Sequence, residues 1–214
     1  MSKKNSSLSF GEEVANTVTH GVSALAILIA LPIATISIYE KNNSIVDTLG
    51  VVIFCLSIFS MFLFSALYHS MAPETKHKDI FKILDHIFIY VAIAGTYTPI
   101  AISIIGGISA IIILLIQWNM VIFGVLYKSI SKKSMPKISL LIYLIMGWTI
   151  IIFMPLLIKN ANPPLFWLIF SGGVSYTLGS VFYALRGFKY HHMIWHIFVF
   201  IGALTHFIGI AFFL

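Results

Sequence analysis

Seven apolar runs, each about 20 residues long and separated by short polar pieces, fill this 214-residue chain. About 20 consecutive apolar residues are what a helix needs to cross the hydrocarbon core of a bilayer. Composition removes the alternative of a soluble fold. Hydrophobic residues make up 59% of the chain, charged residues only 9%, and the mean hydropathy is +1.00. A soluble domain carries about 25% charged residues, and a water-soluble protein of this size has nowhere to hide so much apolar surface. The expected fold is therefore all-α, an integral membrane bundle of seven transmembrane helices. The whole of 1–214 reads as a single seven-helix transmembrane domain, with no room for a separate soluble one.

The predicted spans are about 14–38, 45–71, 80–104, 108–127, 138–158, 165–185 and 191–213. Tyr39-Glu40-Lys41, Ala72-Pro73-Glu74, Gly106-Gly107 and the stretch from Lys159 to Pro164 separate several of them. Lys and Arg then orient the bundle. Lys3, Lys4, Lys76, Lys78, Lys82, Lys128, Lys132, Lys133, Lys137, Arg186 and Lys189 fall on one side, and only Lys41 and Lys159 on the other. Eleven against two is a strong positive-inside bias, which predicts a cytoplasmic N-terminus and a C-terminus outside. The same scatter argues against nucleic acid as the partner of the net charge of +6, because the basic residues form no block or face. The polar start of the chain is unlike a secretory signal, so the first apolar run is expected to be retained. The one cysteine, Cys55, sits inside an apolar run and reads as a packing residue, with neither a disulfide nor a thiolate metal site within reach.

Ionisable groups inside spans are costly, so each is a functional candidate. The second span ends in Ser65-Ala66-Leu67-Tyr68-His69, and the third opens with Leu84-Asp85-His86. The seventh opens with His191-His192 and carries His196, and the first carries Glu12, Glu13, Asn16 and His20. The alternation of spans puts His69, Asp85, His192, His196 and Glu13 at one depth, near the cytoplasmic leaflet. His192 and His196 stand one helical turn apart on one face and can grip one ion. His69, at matching depth, is the natural third ligand. Three imidazoles with a fourth position open to water are the layout of a catalytic zinc site. Asp85 would hydrogen-bond a ligand or the bound water, and Ser65, four residues before His69, would orient the water or stabilise an oxyanion.

The remaining polar residues have plainer readings. His77 and His191 read as loop or interfacial groups. His86 reads equally as a headgroup contact or as support for the metal ligands. His206 lies 14 residues beyond His192, about 21 Å along a helix, too far to join the same ion; it reads as a packing residue. Glu13 and His20, two turns apart on one face, read equally as a link between helices or as catalytic groups. Gly172-Gly173, Ser175 and Gly179 read as close helix packing, Gly95 to Pro99 as a helix kink, and Phe166-Trp167 as interfacial anchors.

These residues also resemble a known family. Glu12-Glu13-Val14-Ala15-Asn16 with Thr19-His20-Gly21, Ser65 to His69, Asp85-His86 with Gly95 to Pro99, Gly172 to Gly179, and His192 to His196 with His206-Phe207 are similar to the motifs of hemolysin III. That is the bacterial branch of the progestin and adipoQ receptor family. The motifs run from the first span to the last. The resemblance implies seven helices with the N-terminus inside and a zinc ion held by His69, His192 and His196, with Ser65 and Asp85 as the nearby polar pair. The wider superfamily includes alkaline ceramidases, zinc amidases that act on lipids. The expectation is an intramembrane zinc hydrolase acting on a lipid amide or ester, the membrane lipid supplying the acyl chain. Two alternatives stand beside it: a cytolytic or pore-forming protein, as the family name records, and a non-enzymatic sensor or regulator of membrane state with structural zinc.

Overall fold

The computed structural model describes residues 8–130, 136–185 and 188–214. The basic residues Lys3, Lys4, Lys132, Lys133 and Arg186 used in the charge count lie outside them. Among the described residues there is no strand, and seven helices are long and apolar enough to cross a membrane. They are α1 (Phe10–Asn42), α2 (Ile45–Ser70), α3 (Lys76–Ile100), α4 (Gly107–Ile130), a fifth span built from α5 (Pro136–Trp148) and α6 (Met154–Asn160), then α7 (Pro163–Ala184) and α8 (His191–Phe213). Each predicted span is present; the first, third, fourth and fifth run a few residues beyond the predicted ends, and the others agree to within two.

Local chemistry sets most of these ends. Helix α1 begins with a capping box, in which the Ser9 side chain accepts from the Glu12 N–H and the Glu12 carboxylate accepts from the Ser9 N–H. It stops at Asn43, whose φ of 46° is a left-handed conformation that asparagine tolerates. Ser44, Thr75 and Asn162 cap α2, α3 and α7 in the same way, and Pro163 and Pro164 fill the first turn of α7, where no N–H is missed. Gly106 and Gly107, at φ 68° and 56°, make the reversal between the third and fourth spans.

The third span is irregular next to the predicted kink at Pro99. Helix α3 continues through Pro99 to Ile100 and then widens into one π-helical turn over Ala101–Ile105. Proline lacks an N–H and crowds the preceding turn, and a wider turn relieves both.

In hydrocarbon every backbone group must find a partner inside the protein, and the fifth span shows how this chain meets that demand. Between α5 and α6 the backbone tightens to a 3-10 helix over Thr149–Phe153. The Tyr97 hydroxyl donates to the Gly147 carbonyl at 2.7 Å and accepts from the Ile150 N–H at 2.8 Å. Gln117 donates to the Met146 carbonyl at 3.1 Å. Side chains of α3 and α4 thus satisfy the interrupted backbone of their neighbour. A cavity of about 50 Å³ beside this joint is lined by Tyr97, Trp148, Phe166, Gly173 and His206 among others. That is room for about three waters.

The helices close into a ring in which α1 packs on α2 and α8, α2 on α3, and α7 on α8, with α8 also touching α2 and α3. Cys55 is buried in the core, as read. Leu25, Ile29, Ile33 and Ile36 form an exposed apolar stripe along α1, the surface lipid requires. Trp167 is exposed as expected of an anchor, whereas Phe166 turns inward against the core. The small residues of α7 do admit close approach: a methyl on Gly172 would overlap the rings and hydroxyl of His206 and Thr205, and one on Gly179 would meet Phe198 at 2.6 Å. Ser175 donates to the Phe198 carbonyl at 2.8 Å.

Two substitutions test this account by unfolding in nanodiscs. Tyr97→Phe strands two buried backbone groups and is expected to cost about 1–3 kcal/mol for each, whereas Tyr39→Phe, at an exposed helix end, should stay within about 0.5 kcal/mol of the parent. Gly172→Ala overpacks the α7–α8 seam and is expected to cost about 1–3 kcal/mol.

Candidate metal centre

The packing of α1 between α2 and α8 brings three histidines together at one end of the bundle. His69 comes from the last turn of α2, and His192 and His196 from the first two turns of α8. One ligand nitrogen from each lies within 4.8 Å of the others. The ring centroids of His69 are 5.1 Å from those of His192 and His196, which are 4.6 Å from each other. His69 and His196 are buried, and His192 is partly so. The trio predicted from depth and spacing is therefore a trio in space.

The surrounding contacts fit a metal ion. The Nδ1 of His69 lies 2.6 Å from the Glu13 carboxylate, so that nitrogen carries the proton and Nε2 keeps its lone pair. That Nε2 is buried without a protein partner, the condition of an imidazole nitrogen that serves as a ligand. The Nδ1 of His196 faces Thr19 Oγ1 at 3.4 Å. The Thr19 hydroxyl donates to the carbonyls of Ala15 and Asn16, so its oxygen is turned to the ring as an acceptor. Three such imidazoles suit zinc among the divalent ions, with copper, iron and nickel the chemical competitors.

The other candidate residues lie at varying distances from this trio, and no contact joins Asp85 or His206 to it among the described residues. Ser65 is buried one turn before His69 on α2. Asp85 is half-buried on α3, with its carboxylate 3.6 Å from Nδ1 of His86; that nitrogen donates instead to the Lys82 carbonyl at 2.6 Å. His206 donates from Nε2 to the Ile169 carbonyl at 2.9 Å and packs against Tyr176, the packing role read for it. It lines the cavity beside the fifth span, about 15 Å along α8 from His196. His77 is exposed in the first turn of α3.

Glu13 and His20 both link α1 to neighbouring helices, one of the two readings their spacing left open. Glu13 turns to His69 and Lys78. His20 is buried and stacks on His196, with ring centroids 3.5 Å apart and planes 9° apart, while Phe62 meets its other side edge-on. Along α1 the buried polar residues Glu12, Asn16, His20 and Ser23 form one helical stripe. That stripe is visible as spacing in the sequence, but spacing alone does not say which histidine it faces.

Seven apolar helices gathered around three convergent imidazoles define a polytopic membrane protein with a candidate metal centre at one end of its bundle. The family model described as Haemolysin-III related matches residues 8–207, and the chain belongs to that family. It is 36% identical over 203 residues to the hemolysin-3 homolog of Bacillus subtilis (strain 168), covering 94% of each chain. It is 35% identical over 202 residues to hemolysin-3 of Bacillus cereus, covering 94% of this chain and 91% of that one. At 24% identity over 207 residues it is also similar to the human monocyte to macrophage differentiation factor, with 93% and 83% covered. Relatives of this kind and seven apolar helices place it as a multi-pass protein of the plasma membrane.

The site predicts one metal ion per chain. Metal analysis of purified protein should give that stoichiometry, and His69→Ala, His192→Ala and His196→Ala should each bring it to the background of a triple variant. Full occupancy in the triple variant would place the ion elsewhere.

Proposed function

We propose that the protein is a zinc-dependent hydrolase that acts on an amide or ester bond of a membrane lipid, from the cytoplasmic side. The observation that carries this reading is the set of three buried or half-buried imidazoles from two helices, with ligand nitrogens within 4.8 Å of one another. Three protein ligands leave a fourth position for water, the arrangement of catalytic rather than structural zinc. A zinc ion held there would supply a Lewis acid and a water acidified toward a pKa of about 7. The protein's own groups would do the rest. His69, His192 and His196 hold the ion, with His69 kept in one tautomer. Asp85 takes the proton of the attacking water, and its place one helix away from His69, on the neighbouring α3, favours it over any acid of the outer loops. Ser65, on the face of α2 that carries His69, donates its hydroxyl to the developing oxyanion. The orientation follows from the loop charges: the histidine end of the bundle is also the end where Lys76, Lys78 and Lys82 lie.

The names of the bacterial relatives favour a second reading, direct lysis of membranes. Under the hydrolase reading lysis follows from released lipid products.

Both are tested with protein reconstituted in liposomes. Metal-loaded protein is expected to release fatty acid from a panel of ceramides and phospholipids, read by mass spectrometry. Asp85→Asn should slow release about 100-fold or more, and His196→Ala should abolish it. Equal rates from His196→Ala and the parent, or no product from any lipid, would sink the hydrolase and leave zinc a structural link. Dye release from vesicles of non-hydrolysable ether lipid would instead favour a pore.

A further inference from the structure

We propose that Glu13 is a positioning residue of the metal centre: its carboxylate, anchored by Lys78, holds the His69 ring in the tautomer and orientation that present Nε2 to the ion. This rests on the metal reading above but goes beyond it, because it assigns α1, which carries none of the three ligands, a part in making the site.

A neutral imidazole has one N–H and two places to put it, and the strongest nearby acceptor decides which. For His69 that acceptor is Glu13 Oε2, 2.6 Å from Nδ1, a short contact to a charged acceptor. The carboxylate's other oxygen, Oε1, accepts from Lys78 Nζ at 2.8 Å. Lys78 is itself fixed, donating to the Met71 carbonyl at 3.1 Å and lying over the Tyr68 ring at 5.1 Å. A chain of contacts thus runs from the first turn of α3 through the first turn of α1 to the last turn of α2. A simple surface ion pair would not need a half-buried carboxylate shared between a lysine and a buried histidine. It also would not leave the far nitrogen of that histidine buried and without a partner.

The neighbouring acid serves the other ligand helix. Glu12 Oε1 accepts the backbone N–H of Tyr190 at 2.9 Å. Tyr190 has a left-handed φ of 63° and stands immediately before His191, the first residue of α8, with no side chain of its own capping that helix. The start of α8, and with it the register of His192 and His196, is therefore held by the first turn of α1. Two adjacent carboxylates clamp the two ligand-bearing helices from one side. Partners of this kind orient a metal-bound histidine and raise its basicity, and their loss weakens metal affinity by about 10- to 100-fold.

The test is metal affinity, with no activity required. Apo protein in nanodiscs is titrated with Zn²⁺ against a competing chelator and with Co²⁺ by its visible absorption, alongside the unfolding temperature of each apo form. The parent should bind one ion and His196→Ala none. Glu13→Ala should bind about 10- to 100-fold more weakly with an altered Co²⁺ spectrum, and its apo form, with His69 and Lys78 left unpaired, should stay folded at a lowered unfolding temperature. Glu13→Gln, which still accepts from Nδ1 but without charge, should fall between, and Lys78→Met should weaken binding less than Glu13→Ala. Asp47→Asn, at the far end of the bundle where Asp47 accepts from Ser103, should match the parent. If Glu13→Ala binds as the parent does while His196→Ala binds nothing, the positioning role fails and the metal reading stands. If Glu13→Ala loses binding as completely as His196→Ala, Glu13 is a ligand and the proposal is equally overturned. If the parent binds no ion, the metal reading itself fails. Should Glu13→Ala not fold, Glu13→Gln and Lys78→Met decide, and parental affinity in both overturns the proposal.

Discussion

Lipid offers no hydrogen bonds, so every polar group inside this bundle has to be answered by another part of the chain. That constraint links features that otherwise look unrelated. Tyr97 and Gln117 answer the broken backbone of the fifth span. His206 answers the Ile169 carbonyl. Glu13 answers both His69 and Lys78. At Nε2 of His69 no protein group answers, and there the convergence of two further imidazoles points to chemistry rather than to packing.

The same constraint explains why the histidine cluster sits at an end of the bundle and not in its middle. A metal ion and the groups around it carry net charge, and charge is least costly near the polar interface. Helix ends also free backbone groups and supply capping residues. The capping box that starts α1 places Glu12 where it can hold Tyr190, and the next residue, Glu13, then faces α2. One local device for beginning a helix thereby sets the positions of two others.

Much of this was legible in the sequence, for identifiable reasons. Apolar run length marks a span without reference to its neighbours, so the seven spans and the reversal at Gly106-Gly107 could be read directly. His192 and His196 could be paired because a helix has a fixed period, and His69 could be joined to them because span alternation fixes depth. What could not be read was azimuth, the direction in which each helix turns its faces. Glu13 and His20 share a face of α1, and their spacing left a link between helices and a catalytic role equally open. Only the packing of α1 between α2 and α8 shows one turned to His69 and the other stacked on His196. Pro99 was readable as a disturbance, but the π-helical turn that follows it was not.

The contact between Glu12 and Tyr190 joins residues 178 apart in sequence, and Thr19 meets His196 across 177. A chain inserted from its N-terminus makes α1 first and α8 last. Until α8 enters, Thr19 and His20 of the first helix lack the His196 ring they meet, and His69 stands as one imidazole of three. Entry of α8 adds two of the three imidazoles at once, so the donor set is gathered only when that helix packs against α1 and α2.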